Sequence, residues 1–482
     1  MGDIINLLND IIWSNALIAL CLGAGVYFSI RLGFPQVRML KHMIQLLFKK
    51  NSSDTGISSF QAFALAISGR VGTGNIAGVA TAIALGGPGA IFWMWVIAFL
   101  GSSSAIVEAT LGQIYKVKQD GEFRGGPAYY ILHGLKIKWF AFVFAGATIV
   151  AMAFFLPGVQ SNSIGSSMNE AFGIEPYVSG IFVALMLSLV IFGGVKRIAN
   201  VAQVVVPVMA LAYILVAMII IGMNISEVPK VFSLIINSAF GAEELFGGII
   251  GQAIIWGVKR GIYSNEAGQG TAPHAAAAAQ VEHPVQQGLV QGFSVYIDTL
   301  FVCTATALMI LFTGSYNVRD ESVSSNEPTM IVENLPGVSY GPEFTQMAVE
   351  SEFASYGKPF VAIALLFFAF TTIIAYYYIA ETNVGFIGGT KQRRKILIFT
   401  LRFVIIASTI YGAMSSAGYA WSLGDIGVGL MAWLNIIAMF MLQKPALRAF
   451  KDYKRQLKSK EPISFSPKEI GIENADYWES KK

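Results

Sequence analysis

A run of Ser68, Gly69, Arg70, Val71, Gly72, Thr73, Gly74, Asn75, Ile76, Ala77 and Gly78 puts four glycines, an arginine and an asparagine into the centre of an otherwise apolar segment. Glycine lowers helix propensity by about 1 kcal/mol relative to alanine, so a continuous helix is poor here. A helix opened at membrane depth frees N–H and C=O groups that only protein, ions or substrate can satisfy. The half that resumes near Gly74 and Ile76 would turn free N–H groups and a positive dipole end toward a carboxylate, and the carbonyls freed before it could ligate sodium. Glycines also permit close helix packing, and Gly74 and Gly78 are spaced for it. Asn75 and Arg70 add a cost that packing does not need, which favours the opened site. A second irregular run, Phe246, Gly247, Gly248, Ile249, Ile250, Gly251 and Gln252, interrupts another apolar segment, whose far end carries Trp256, Lys259 and Arg260.

Other polar residues inside apolar segments narrow the chemistry. Glu108 and Asp298 each cost several kcal/mol at membrane depth unless paired or solvated, and read either as partners that position other groups or as direct ligands or proton carriers. Thr371 and Thr372 could supply hard oxygens for sodium or bond their own i−4 carbonyls. Gln160, after Pro157 and Gly158, could contact substrate or cap a kink. The stretch 264–274 (S-N-E-A-G-Q-G-T-A-P-H) is expected to be a cytoplasmic connection in which Asn265 and Glu266 pin helix ends near an inner gate. His133, His274 and His283 lack ligand spacing and are expected to face the cytoplasm, so no metal-cofactor site is predicted. Cys21 and Cys303 lie in apolar runs and read as buried small hydrophobes. No phosphate loop, dinucleotide fingerprint or nucleophile elbow occurs, which argues against an ATP-driven pump and against an enzyme. The basic loops suit anionic lipid headgroups rather than nucleic acid.

The elements that hold these residues follow from composition. Of 482 residues, 55% are hydrophobic and 13% charged, against about 25% charged in a soluble domain. Lipid must be the solvent for most of the chain. The first ten residues contain Asp3 and Asp10 but no Lys or Arg, the wrong start for a cleaved signal peptide. Apolar runs predict eleven spans, near 11–30, 59–84, 89–114, 139–168, 177–193, 199–222, 243–262, 286–312, 359–381, 396–413 and 419–441. Basic residues cluster at alternate connections (Arg31 to Lys50, Lys116 to Lys138, Lys196 and Arg197, Lys259 and Arg260, Lys391 to Lys395, and the tail from Lys444), which predicts N-out, C-in.

The expected fold class is an all-α polytopic membrane protein with a ten-helix 5+5 inverted repeat and one extra N-terminal helix. Its parts are a helix and basic linker (1–58), a first five-helix repeat (59–222), an extracellular linker (223–242), a second repeat (243–441) with an acidic loop at 313–358, and a cytoplasmic tail (442–482). Each repeat would begin with an irregular helix, and five helices per repeat force opposite starting orientations. That parity favours alternating access over a static pore.

Several long motifs then carry a resemblance: 69–78 (G-R-V-G-T-G-N-I-A-G), 125–130 (G-G-P-A-Y-Y), 257–273 (G-V-K-R-G-I-Y-S-N-E-A-G-Q-G-T-A-P), and Asp298-Thr299-Leu300 leading into Cys303-Thr304. Over about 15–445 the chain resembles the alanine or glycine:cation symporter family, prokaryotic secondary transporters of the cell membrane. The resemblance implies a fold like the neurotransmitter:sodium symporters and sodium-driven uptake of a small neutral amino acid, alanine or glycine. It implies a substrate carboxylate at Thr73, Gly74, Asn75 and Ile76, an ammonium at the carbonyls of Phe246, Gly247 and Gly251, and Gln160 and Trp421 in the pocket wall. It implies sodium, as a co-transported ion, between Ser68 and Val71 carbonyls and oxygens of Phe368, Thr371 and Thr372. One departure stands out: family members commonly have Gly where Ala375 stands and Trp where Tyr376 stands, so if Tyr376 lines the pocket, selectivity can differ. The expected partners are the amino acid, Na+ and membrane lipids, with a monomer as the default. Proton coupling through Glu108 or Asp298, and a preference for glutamine or serine, are the nearest alternatives; a channel or a receptor would be a different class.

Overall fold

The computed structural model describes residues 2–49, 56–320, 329–459 and 462–480, with side chains from residue 4. The side chain of Asp3, part of the basic linker (50–55) and part of the acidic loop (321–328) lie outside the described residues. Among the described residues, eight helices are long and apolar enough to cross a membrane, and two shorter apolar helices span Gly74–Gly86 and Pro176–Ile191. The protein is an all-α polytopic membrane protein, and among the described residues the strands form two short antiparallel ribbons.

The chain begins with α1 (Gly2–Ile12), α2 (Asn15–Leu32) and a short amphipathic α3 (Leu40–Leu47). A capping box between Ser58 and Gln61 starts α4 (Ser59–Arg70), which a π-helical turn at Gly74–Gly78 separates from α5 (Val79–Gly86). Next come α6 (Gly89–Ile114), α7 (Lys138–Val150), a π turn at Ala151–Phe155 and α8 (Leu156–Phe172). They are followed by α9 (Pro176–Ile191), α10 (Gly194–Met223) and α11 (Val228–Ala239). A second interrupted pair follows, α12 (Ile250–Asn265) and α13 (Ala272–Ala278). Then come α14 (Pro284–Val295), a π turn at Tyr296–Cys303, α15 (Thr304–Phe312) and α16 (Pro342–Phe353). The long helices α17 (Gly357–Ile387), α18 (Lys391–Met414) and α19 (Ala417–Met441) precede α20 (Gln443–Ser459). The ribbons pair Val117–Gln119 with Glu122–Arg124 and Asn317–Asp320 with Thr329–Glu333.

The burial pattern is that of a protein dissolved in lipid. On α10, Val204, Val208, Leu211, Leu215 and Met218 recur at steps of four and three and are 58–68% exposed, an apolar stripe with no protein partner. The interior, by contrast, holds Arg70, Glu108, Asp298 and many hydroxyls. Helix α6 is the post around which the rest is arranged, and α12 and α14 press onto it through glycines. A Cβ on Gly257 would stand 2.4 Å from the Ala90 carbonyl oxygen, and one on Gly292 3.1 Å from the Ser102 oxygen. Ser102 Oγ donates to Gly292 O at 2.8 Å on the same seam. Small residues let membrane helices approach closely, as here.

At one end of the bundle the beginning of α4 is tied to the end of α13. Ile57 N donates to Ala278 O and Gln280 N to Ile57 O, both at 3.1 Å. Gln113 Nε2 and Lys116 Nζ both donate to Ala279 O, at 2.9 and 2.8 Å. The segment after α20 covers this junction: Trp478 Nε1 donates to Gln113 O at 2.8 Å, and Lys116 Nζ lies 4.4 Å from the Phe123 ring centre and 4.7 Å from that of Tyr477. The expected tail is thus packed structure, with Phe450, Tyr453 and Trp478 buried.

Three expectations are corrected. The second interruption does not fall at 246–252: a 3-10 turn (Gly247–Ile249) leads into α12, which runs unbroken to Asn265, and a Cβ on Gly248 or Gly251 would meet open space. The chain instead opens at 266–271, where Glu266 (φ 55°), Gly268 (82°) and Gly270 (88°) take left-handed backbone that ends a helix. The stretch 264–274 is therefore interior rather than a cytoplasmic connection, and His274 and His283 are fully buried. Lys259 and Arg260 do not close a span at a basic surface, because both are buried against Asp425.

Gly257→Ala has to push α12 off α6 and should lower stability by about 1–3 kcal/mol, read as a fall in the unfolding temperature of purified protein in detergent. Gly251→Ala, with open space around it, should leave that temperature unchanged or raise it. Equal effects at both positions would contradict the seam.

Candidate functional site

The two interrupted helices open against each other. After Arg70, Val71 leaves the helix (φ −78°, ψ 90°) and the chain turns before resuming at Gly74. The donors exposed by that turn are taken by side chains: Gly72 N donates to Asn75 Oδ1 at 2.8 Å and Thr73 N to Gln160 Oε1 at 3.0 Å. Thr73 Oγ1 is buried with no partner among the described residues. Gly74 faces the end of α12, where a Cβ would lie 3.1 Å from Ser264 Cα and 3.3 Å from the Tyr263 ring. Asp298 locks that contact, accepting from Asn75 Nδ2 at 2.6 Å, Thr299 Oγ1 at 2.7 Å and Ser264 Oγ at 2.9 Å.

The second opening has its own supports. Glu108, reaching from α6, accepts from Gly270 N at 3.0 Å and from Asn435 Nδ2 at 2.8 Å, and Asn435 Nδ2 also lies 2.9 Å from Gly268 O. Tyr130 hydrogen-bonds Asn435 from behind. Asn265 Oδ1 accepts from Ala267 N at 3.0 Å, and His274 bridges Thr271 O and Asn383. Glu108 and Asp298 therefore hold the two openings in shape.

The oxygens expected to hold sodium converge. Thr372 Oγ1 lies 2.8 Å from Ser68 O, 3.0 Å from Phe368 O and 3.4 Å from Val71 O. Thr371 Oγ1 joins the set through Phe368 O at 3.0 Å. One hydroxyl proton cannot serve three carbonyls, so this is a cluster of lone pairs with too few donors, the donor set a hard cation takes. It fits sodium, whose ligands are oxygens, and it joins α4 to α17.

The remaining wall comes from three helices. Gln160 on α8 touches both Thr73 and, by a side-chain hydrogen bond, Tyr376 on α17. Ile76 and Tyr376 are buried. Trp421 on α19 packs with its ring centre 4.9 Å from that of Tyr263, tilted by 40°, and lies over Gly78. Above it Arg260 is sandwiched between rings, 4.5 Å from Trp421 and 5.1 Å from Trp256, and is bonded to Asp425 at 2.7 and 3.1 Å. Lys259 Nζ meets the same carboxylate at 2.8 Å. A cavity of about 500 Å³ stands over this layer, lined by Thr81, Asn162, Arg319, Glu343 and Ser422 among others.

Thr73, Gly74, Asn75, Ile76, Gln160, Tyr376 and Trp421 are thus brought to one place. Phe246, Gly247 and Gly251 are not. Phe246 packs on Gly87, beyond the far end of α5. Sequence reasoning missed Tyr263, Ser264 and Asp425. Two glycines within three residues at 268–270 beside Asn265 were the available signal, but Lys259 and Arg260 made that end of the helix look like a basic surface. No group of three or more His, Cys, Asp or Glu able to hold a metal occurs among the described residues.

A polytopic bundle with two helices opened side by side at its centre, and an oxygen cluster fastened to one of them, is a secondary-transporter scaffold. A Na+-coupled sialic acid symporter in its substrate-bound outward-open state has a similar fold: TM-score 0.53 over 98% of this chain and 96% of that one, at 12% identity. The chain belongs to the sodium:alanine symporter family, whose model matches residues 1–467. It is 60% identical to a Bacillus subtilis protein assigned as a sodium/proton-dependent alanine carrier, over 100% of this chain and 98% of that one. A sodium/proton-dependent alanine carrier of Bacillus sp. strain PS3 is 51% identical, over 91% and 97%. A Bacillus subtilis protein assigned as a sodium/glutamine symporter is 44% identical, over 96% and 93%. The family is one of carriers, not of enzymes.

Asp425→Asn leaves Lys259 and Arg260 buried without their anion. Breaking a buried ion pair costs about 3–5 kcal/mol, so the unfolding temperature should fall steeply, and adding Lys259→Gln should restore part of it. A fall that the second substitution deepens would contradict the shared-anion arrangement.

Proposed function

We propose that this chain is a sodium-coupled symporter that takes up a small neutral amino acid, alanine and possibly glycine in size, by alternating access across a prokaryotic cell membrane. The observation that carries this reading is the meeting of the two opened helices at Gly74 and Ser264, with the Ser68, Val71, Phe368 and Thr372 oxygens clustered beside them. The substrate carboxylate meets the backbone of Thr73, Gly74, Asn75 and Ile76, where a resuming helix turns its positive end inward. Gln160, Tyr376 and Trp421 close the wall. The ammonium faces the carbonyls freed where α12 ends, so Tyr263 and Ser264 replace Phe246, Gly247 and Gly251 in that role.

Sodium lies between α4 and α17 at Ser68, Val71, Phe368, Thr371 and Thr372. Binding there fastens the first opened helix to the scaffold, so sodium favours the substrate-ready state through its preference for one of two conformations. The domain plan that accompanies this reading is eleven spans, N-out and C-in, with α2 outside a 5+5 inverted repeat. The first repeat begins at α4 and the second at α12, five spans each with an interrupted helix in first place, which supports the inversion. Lys259, Arg260 and Asp425 then lie on the extracellular side, and the Ile57 junction on the cytoplasmic side.

The likeness to a sodium/glutamine symporter favours a second reading of the substrate. Tyr376, fully buried and bonded to Gln160, fills volume that a longer side chain would need, which supports alanine or glycine. The difference is worth about 1–3 kcal/mol per methylene.

Proteoliposomes containing the purified monomer should accumulate labelled alanine against its gradient when sodium is high outside, and glutamine and serine less well. Accumulation driven by a proton gradient alone, together with no response to an added sodium gradient, would reject sodium coupling. Thr371→Val with Thr372→Val should raise the sodium concentration for half-maximal uptake at least about tenfold, the loss of about 1.4 kcal/mol of ion binding. Unchanged sodium activation would remove these residues from the ion site.

A further inference from the structure

Four charged side chains lie buried around the two openings: Arg70 on α4, Glu108 on α6, Glu266 between α12 and α13, and Asp298 in the π turn before α15. With all of them ionised, three anions would share one cation. Arg70 does not neutralise any of them closely. Its Nη1 donates to Gln291 O at 3.1 Å and to Ser294, and its Nε and Nη2 have no partner among the described residues. The donors around each carboxylate separate the three. Asp298 accepts from three side chains, and Glu108 from a backbone N–H and an amide. Among the described residues the Glu266 carboxyl accepts only from Thr271 Oγ1, at 2.8 Å, and its Oε1 is buried with no partner. A buried carboxylate served by one neutral hydroxyl is poorly compensated, whereas a carboxylic acid in the same place carries no charge and gains a donor of its own.

The position of Glu266 gives that proton a route. Its left-handed backbone is the first residue of the second opening, and a Cβ on Gly69 would lie 3.3 Å from its Oε2, so the carboxyl rests against α4 beside Arg70. Next to it is a space of about 10 Å³, room for about one water, bounded by Gly69, Thr271, Ala275, Ala375 and Tyr378. This space lies between α4, α13 and α17, on the side of the openings that leads to the Ile57 junction. The titratable and charged groups facing Glu266 are Arg70, Tyr263, Asp298, Tyr376 and Tyr378, with Glu108 interacting with the same Arg70 and His274 bonded to Thr271 O. Arg70 is the one cation among them.

We infer that Glu266 is a proton-carrying group of the transport cycle, neutral while the two openings are closed on each other and releasing its proton to water when α4 and α13 part at the Ile57 junction. The inference rests on the transport reading; what it adds is the residue that carries a proton and the side on which that proton is released. Parting those helices wets the space beside Gly69 and supplies the donors that the closed state withholds, so the proton, taken from extracellular water before the openings close on each other, leaves on the cytoplasmic side.

The test is alanine uptake into sodium-driven proteoliposomes that enclose a pH-reporting dye, with the membrane potential clamped by potassium and valinomycin. Wild-type uptake should acidify the lumen, while Glu266→Gln, which keeps the neutral form, should carry alanine without acidification. No acidification with wild-type protein during active alanine uptake would overturn the inference, as would Glu266→Gln acidifying the lumen like wild type. The wild-type measurement stands alone if the variant does not fold. Absence of sodium-driven uptake of any amino acid by wild type would instead defeat the transport reading itself.

Discussion

A backbone group freed inside a lipid-dissolved protein has no water to turn to, and much of the interior answers to that constraint. Opening two helices exposes amides and carbonyls at 71–74 and at 266–271. Asn75 and Gln160 take the amides of Gly72 and Thr73, while Glu108 and Asn435 serve Gly270 and Gly268. The carbonyls of Ser68 and Val71 are left crowding a single threonine hydroxyl. The protein thus satisfies the Gly72 and Thr73 amides with its own side chains and leaves carbonyl oxygens in surplus there. A surplus of oxygens is what a cation removes, so the chemistry of the proposed ion site follows from an imbalance in backbone hydrogen bonding.

The same constraint explains why charge is concentrated where lipid is absent. The stripe from Val204 to Met218 meets lipid and carries none, whereas Arg70, Glu108, Glu266 and Asp298 stand within a few helical turns of the openings. Asp425 with Lys259 and Arg260 forms a second, separate group on the other side of Trp421. Between these two charged layers lie Trp421, Tyr263 and the opened backbone, so any solute held there is flanked by fixed charge on both sides. The Trp421 and Trp256 rings lie 4.5 and 5.1 Å from the guanidinium of Arg260, which helps to keep it in one place despite its length.

Sequence made the first opening legible to the residue, because glycines and polar groups in an apolar run contradict a helix locally. Its partners Thr372 and Gln160 were also reachable, since each is a polar residue out of place. The second opening was harder. Phe246 to Gln252 looked weak as a helix but has nothing pressing on it, and glycines in open space need not break anything. The real interruption hid behind Lys259 and Arg260, whose charges suggested a surface. Only their shared partner Asp425, 165 residues beyond Arg260, shows why they can be buried. Pairing over that distance leaves no local trace, and neither does the meeting of Gly74 with Ser264. The remaining errors, such as the histidines placed in water, follow from the same mistaken surface.

The roof over the Ile57 junction has a temporal consequence. Gln113, which holds the end of α13, has its own carbonyl capped by Trp478, which is 365 residues further along the chain. At about 5–20 residues per second, that stretch takes on the order of tens of seconds to synthesise. Helices α4, α6 and α13 are therefore all in place long before the residue that completes their common seam leaves the ribosome. During biogenesis the newborn protein passes through an interval with its helices inserted and this end unroofed.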